Sequence, residues 1–199
     1  MSTRDRILQA AIQALATHGY AATTARAIAA IGGFAPGVLY YHFSDLDDVL
    51  RAAVAYASDV REERYRSTVI GVISAVELVS LLRQLYDEDA ASGHIEAVQE
   101  LVAAARPGSL LAQAIAEQTR RWEALAEQVL RTLLRGKPLA RLVSVPVAAR
   151  AAVAYYIGMQ TLTHVDRDTT RPRAAFDQAA KLAAVFDKLP RLPSRKGAA

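Results

Sequence analysis

Every periodic stretch of this chain repeats at the spacing of a helix, and no segment shows the alternation a half-buried strand would need. Ile7, Ala11, Ala14 and Leu15 form one apolar face, and Gly19 ends that helix because glycine tolerates a left-handed terminal residue. Thr23 or Thr24 caps a second helix that buries Ile28 and Ile31. Gly32 and Gly33 close it and permit a sharp turn. Pro36 suits the first turn of a third helix, where a missing N–H costs nothing. Ser44-x-x-Asp47 reads as a capping box for a fourth helix running to about Arg66, and Ser74-x-x-Glu77 for a fifth that ends before Ser92 and Gly93. A short sixth helix, Ile95 to Ala105, stops at Pro107 and Gly108. The seventh is long, with Leu111, Ile115, Gln118, Trp122, Leu125, Val129 and Leu133 on one stripe, closed by Gly136 and Pro138. An eighth runs from near Pro146 to about Thr163, and a ninth from near Pro172 to Pro190. The pattern predicts an all-α fold of about nine helices.

Composition bounds the function. The chain has 199 residues, 52% of them hydrophobic, enough to bury a substantial core. It has no cysteine, so no disulfide framework and no Cys-based metal site is expected. The charged start, Arg4-Asp5-Arg6, does not read as a signal peptide. The most apolar run, Thr68 to Leu82, is broken by Glu77 and short for a membrane span. A cytoplasmic protein without a membrane partner is the expectation. The net charge of +4 suggests an anionic partner. Much of the excess, however, lies at Lys188, Arg191, Arg195 and Lys196, which read as a solvated, disordered tail. No HExxH, no Ser or Cys nucleophile motif and no glycine-rich phosphate loop is present, so neither catalysis nor a cofactor or metal is expected.

The stretch GFAPGVLYYHF, Gly33 to Phe43, joins two short helices by a tight glycine turn and crowds the second with Tyr40, Tyr41 and His42. That is a helix-turn-helix pattern, whose second helix normally enters the DNA major groove. Leu39 and Phe43, four apart, share a face and should pack inward. Tyr40, Tyr41 and His42 then fall on outer or flanking faces, where they can donate hydrogen bonds to bases or phosphates, or else stand as half-buried aromatics. Pro36, Gly37 and Val38 occupy the first turn, nearest the base edges. Pro36 and Val38 can offer only apolar contact, for instance to a thymine methyl, and Gly37 close backbone approach. Thr24 can bond a phosphate as well as cap its helix, and Arg26 is a candidate phosphate contact.

These residues resemble the TetR-type family of bacterial transcription regulators. The resemblance runs from Arg6 to Leu50: an apolar first helix, Gly19-Tyr20, Thr23-Thr24, Ile28-Ala29, Gly33, Gly37, then Leu39-Tyr40-Tyr41-His42-Phe43. It implies a helix-turn-helix head over 1–46 and a helical ligand-binding and dimerisation body over 47–190, followed by the basic tail over 191–199. It also implies a homodimer on a palindromic duplex operator, a repressor that a small molecule releases. The sequence departs from the family pattern where Ala35 replaces a Ser or Thr, Val38 a small hydroxyl residue, and Leu46 a phosphate-gripping Lys. Each change removes a polar contact to the DNA backbone. With Asp45, Asp47 and Asp48 close by, weak non-specific binding is expected, and a lysine restored at Leu46 should steepen the salt dependence.

In the body, Gln118 interrupts the apolar stripe of the seventh helix one turn before Trp122. A polar group there either bonds a neighbouring helix or lines a cavity and reads a ligand. Tyr86, His94, Tyr155 and Met159 are further candidates for the wall of that cavity. An apolar or aromatic effector fits such a wall; a highly charged one does not. The small residues of helices eight and nine, Ala148 to Gly158 and Ala175 to Ala183 with Phe176 and Phe186, suit a four-helix interface between two copies. Two other readings remain open at this level. One is a DNA-binding regulator without a small-molecule effector. The other is a helical enzyme or carrier that has lost DNA binding.

Overall fold

The computed structural model describes residues 1–190, and among them every regular element is helical. Nine α-helices follow in order: α1 (Thr3–His18), α2 (Ala25–Gly32), α3 (Pro36–His42), α4 (Leu46–Val69), α5 (Ala75–Ala91), α6 (His94–Ala104), α7 (Leu110–Leu134), α8 (Val145–Asp166) and α9 (Thr170–Lys188). A 3-10 turn over Pro138–Arg141, which the periodicity did not predict, lies between α7 and α8. No described helix is long and apolar enough to cross a membrane. The described residues form two compact units: residues 1–64 with 87–119, and residues 65–86 with 120–190. The expected basic tail, 191–199, lies outside the described residues.

Several termini form as the sequence dictates. Thr24 accepts the Ala27 N–H and caps α2. Gly33 takes the left-handed conformation (φ 65°, ψ 40°) that closes α2, a region costly for a side-chain-bearing residue. At Gly32 the reason for glycine is steric, because a Cβ there would lie 2.1 Å from the Phe34 ring. α1 has a capping box the sequence reading missed, with Ser2 and Asp5 exchanging side-chain and backbone hydrogen bonds. The box expected at Ser44-x-x-Asp47 is displaced by one residue. Asp45 accepts the Asp48 N–H at 2.8 Å, and the Asp48 carboxylate reaches back to the N–H and hydroxyl of Ser44. Aspartate is as good a cap as serine, so composition alone did not separate the two registers.

In the first unit α1 packs on α2 and α6, and α2 on α3. Ile7, Leu8, Leu15, Ile28, Leu39 and Val49 are wholly inaccessible. A second cluster joins Leu15, Leu50 and Val54 to Ala97 and Leu101 of α6. Glu100 of α6 accepts the Tyr20 N–H at 2.7 Å and so fixes the loop after α1. Farther along, the buried Asp89 receives Arg61 Nε at 2.5 Å and also binds Arg64, which ties α5 to α4.

In the second unit Tyr65, Val69, Leu85, Leu125, Val129 and Leu133 form the core, with Trp122 and Phe186 packed against it. Asp187 near the end of α9 takes the Ser74 hydroxyl and the N–H groups of Ala75 and Val76, and so caps α5 from a distance. Burial pushes its carboxyl pKa up, but those donors outweigh burial and hold it below the usual carboxylate range. The buried Lys137 ammonium donates to the carbonyls of Phe186, Asp187 and Leu189, closing α9 at its C-terminal end. α8 packs on α9.

Candidate functional site

The third helix is set by burial on one side only. Leu39 is fully buried and Phe43 is 4% exposed, so the face they share turns into the first unit. Tyr41 is then 88% exposed, with His42 edge-on to its ring at 5.6 Å. Tyr40 is 56% exposed. His42, Pro36 and Gly37 are also exposed. A Cβ on Gly37 would meet nothing within 4 Å, so no packing inside the chain requires glycine there. Val38 differs from its neighbours: it is half-buried against the core of the first unit and shares the work of Leu39. Thr24 and Arg26 stand exposed in the first turn of α2. Ala35 leaves α3 without a side-chain cap, and Pro36 at its start removes one of the donors that would need it.

The acidic residues beside this helix carry less free charge than their number suggests. Asp45 and Asp48 cap α4, where the positive end of the helix dipole favours them. The Arg51 guanidinium bonds Asp48 at 2.5 Å and, with Ser44, holds its carboxyl below the usual range. Two arginines lie over aromatic rings nearby, Arg4 over Phe43 at 5.0 Å and Arg6 over Phe34 at 5.8 Å. Leu46 packs against both clusters of the first unit rather than outward. A lysine there would have to leave the core to reach a phosphate.

A helix-turn-helix with its outer face stripped to Pro, Gly, Tyr, Tyr and His is a surface built for contact, and its sequence has relatives. Residues 7–53 match the family model described as bacterial regulatory proteins, tetR family. The N-terminal segment is a tetR-family segment. No curated protein matches the sequence, but solved structures do. A Rhodococcus sp. protein assigned to the TetR family of transcriptional regulators is 25% identical over 90% of this chain and 97% of its own, with a TM-score of 0.72. The fatty acid degradation regulator FadR from Bacillus halodurans is 21% identical over 92% and 95%, with a TM-score of 0.74. The multidrug binding protein EbrR, complexed with malachite green, is 24% identical over 96% and 99%, with a TM-score of 0.65. The TetR-like fold thus extends over 90–96% of the chain. The family is one of bacterial regulatory proteins, and the Rhodococcus and Bacillus halodurans neighbours are regulators, not enzymes.

The six residues expected to line an effector cavity are dispersed. Tyr86, Trp122, Tyr155 and Met159 belong to the second unit, His94 and Gln118 to the first. Tyr86 and Met159 are buried, and Trp122 is half-buried. Tyr155 is 65% exposed, which corrects its placement on an inner wall. Its neighbour Tyr156 turns inward instead and donates or accepts at the Tyr65 hydroxyl, 2.8 Å away. Around that contact Trp122 stands edge-on to Tyr65, and Tyr86 edge-on to both Tyr156 and Phe176, with ring centroids 5.1–5.8 Å apart. Phe176, expected at an interface between two copies, is instead buried within the unit; Tyr65 and Tyr156 were missed, the latter because α8 is rich in Ala, Val and Tyr on every side. Its periodicity did not say which face is inside. Burial, with Arg61 close by, drives the His94 pKa down to about 4, so its imidazole is neutral at neutral pH. Gln118 is half-buried. Among the described residues no group of three His, Asp or Glu could hold a metal ion.

Proposed function

We propose that the protein is a homodimeric, ligand-responsive repressor acting in the cytoplasm on a palindromic duplex operator. One observation carries the DNA half of this reading. α3 buries Leu39 and Phe43 and presents Tyr40, Tyr41, His42, Pro36 and Gly37 to solvent within a tetR-family segment. Thr24, Arg26, Tyr41 and His42 supply contacts to phosphates or base edges, and the bare surface at Gly37 lets a DNA backbone approach closely. Val38 contributes at most an edge of its side chain.

The dimer is supported by apolar side chains left exposed on the outer surface of α8 and α9: Tyr155, Leu162 and Val165 on one, Leu182 and Val185 on the other. Covering such a patch with a second copy removes it from water and gives the two-fold symmetry a palindrome mirrors. Leu182→Glu should shift the protein to monomer in sedimentation.

The effector half rests on the aromatic network of the second unit, which presents Trp122, Tyr86 and Tyr156 with Lys137 as the buried charge of that unit's described residues, already held by α9. Malachite green, carried by EbrR, is a cation, and the stearoyl-CoA bound to FadR from Bacillus subtilis is anionic. Neither charge finds a counter-charge in this network, so a neutral, mostly apolar effector fits it better. Bound more tightly by the DNA-free dimer, it would release the operator by reciprocal linkage. Selection from random duplex DNA tests the core of the proposal. A palindrome with half-sites about one helical turn or a multiple apart supports it; no enriched sequence at low salt refutes it.

A further inference from the structure

Two polar side chains of α8 each bury a donor that has no hydrogen-bond partner among the described residues. Gln160 is 3% exposed, and its amide Nε2 has no hydrogen-bond partner; the Thr163 hydroxyl is likewise buried without one. Helical threonines ordinarily have a local solution. Thr119, Thr132 and Thr161 each turn the hydroxyl back to the carbonyl four residues earlier, at 2.9–3.2 Å. Thr163 does not, although it sits in the same kind of helix two residues after Thr161. Gln160 follows Tyr156 by four residues and Thr163 follows Gln160 by three, so all three lie on one face of α8. That face is the one Tyr156 turns toward Tyr65 and Tyr86. An amide donor buried without an acceptor destabilises the fold it sits in. Leucine would fill the same volume without that penalty.

We infer that Gln160, with Thr163 one turn on, is the polar reader of the effector: it donates to a neutral oxygen acceptor, a carbonyl or ether, on an otherwise apolar or aromatic molecule. This rests on the effector reading above and sharpens it to a chemical class. The aromatic network supplies the stacking surface, Gln160 the directional bond, and Thr163 either donor or acceptor for a second polar atom. Lys137, the buried cation among the unit's described residues, is already held by three carbonyls at the end of α9, so the recognised oxygen is uncharged. Discrimination then depends on leaving or satisfying one buried donor, the arrangement that rejects an analogue lacking the oxygen most strongly.

The test uses the full-length protein, the neutral dye Nile red as reporter, and two competitors that differ in one group, benzophenone and diphenylmethane. Wild type should be displaced by benzophenone at a concentration at least tenfold below that of diphenylmethane. Gln160→Leu should bind diphenylmethane as before, bind Nile red, itself a carbonyl compound, more weakly, lose the preference for the ketone, and melt no lower than wild type. Thr163→Val gives a second variant in which the ketone preference should persist while a ligand bearing an additional hydroxyl loses affinity. Equal displacement of wild type by both competitors, or a ketone preference surviving in Gln160→Leu, overturns the inference and leaves the apolar effector site standing. Failure of Nile red and of both competitors to bind overturns the effector site and the inference together. A Gln160→Leu protein that melts well below wild type assigns the side chain a purely structural role and also overturns it.

Discussion

Replacing Tyr41 and Phe43 separates the two sides of α3 most sharply. Tyr41 is 88% exposed and its ring lies edge-on to His42, so Tyr41→Ala should change unfolding free energy by no more than about 0.5 kcal/mol. Phe43, two residues on, is 4% exposed in the core of the first unit with the Arg4 guanidinium 5.0 Å over its ring. Phe43→Ala removes a buried ring and leaves a void, at about 3–5 kcal/mol. DNA binding should respond in the opposite sense. A tyrosine hydroxyl bonded to a phosphate contributes roughly 1.5–3 kcal/mol, and a palindrome engages two heads, so Tyr41→Ala loses about 3–6 kcal/mol per operator. At about 1.4 kcal/mol per decade this is a fall of roughly two to four orders of magnitude in affinity. Tyr41→Phe keeps the ring and removes the hydroxyl, and should show most of the loss. Thermal melts by circular dichroism and fluorescence anisotropy on the selected operator measure both quantities. A Tyr41→Ala protein that binds like wild type, or a Phe43→Ala protein that melts like wild type, would refute the assigned facing of the helix.

Three further outcomes follow from the packing. Leu46→Lys should lower stability by about 1–3 kcal/mol by withdrawing an apolar contact from two clusters, and should leave the salt dependence of DNA binding unchanged. A log–log slope steeper by about 0.9 would instead show the ammonium reaching a phosphate. Asp89→Ala should cost about 3–5 kcal/mol in urea titrations, because it takes the counter-charge from the 11%-exposed Arg61 side chain. Asp89→Asn should cost less. The His94 pKa lies near 4 in the fold against 6.5 unfolded, so between these values the unfolded chain binds the proton. This contribution to stability is whole above about pH 6.5 and is lost as pH falls toward 4. Wild type should lose about 2 kcal/mol between pH 7 and pH 5 from this group, and His94→Gln should flatten that slope.

What the sequence reveals is mostly local. The helix ends at Gly19 and Gly33, the cap at Thr24 and the inward pair Leu39 and Phe43 all follow from propensities that act within one or two turns. What it conceals are partners brought from far along the chain. Nothing near Ser74 announces that Asp187 will share its capping role, and nothing near Lys137 announces three carbonyls at the end of α9. The slip from Tyr156 to Tyr155 has the same origin, since an evenly apolar helix takes its orientation from its neighbours. On the candidate DNA surface residue type and spacing anticipated the exposure of Tyr40, Tyr41 and His42, which a single turn of helix sets, but not the packing of Val38 and Leu46 against the core.

The interleaving of the two compact units bears on how the chain can assemble as it is synthesised. The first unit draws on nothing later than residue 119, so a nascent chain of that length already holds every segment it needs, including Glu100 for Tyr20 and Asp89 for Arg61. Residues 65–86 emerge earlier than their partners and must wait until α7, α8 and finally Asp187 have left the ribosome. The half that carries the helix-turn-helix therefore matures first during translation, while the apolar side chains of residues 65–86 stay uncovered until the later helices emerge.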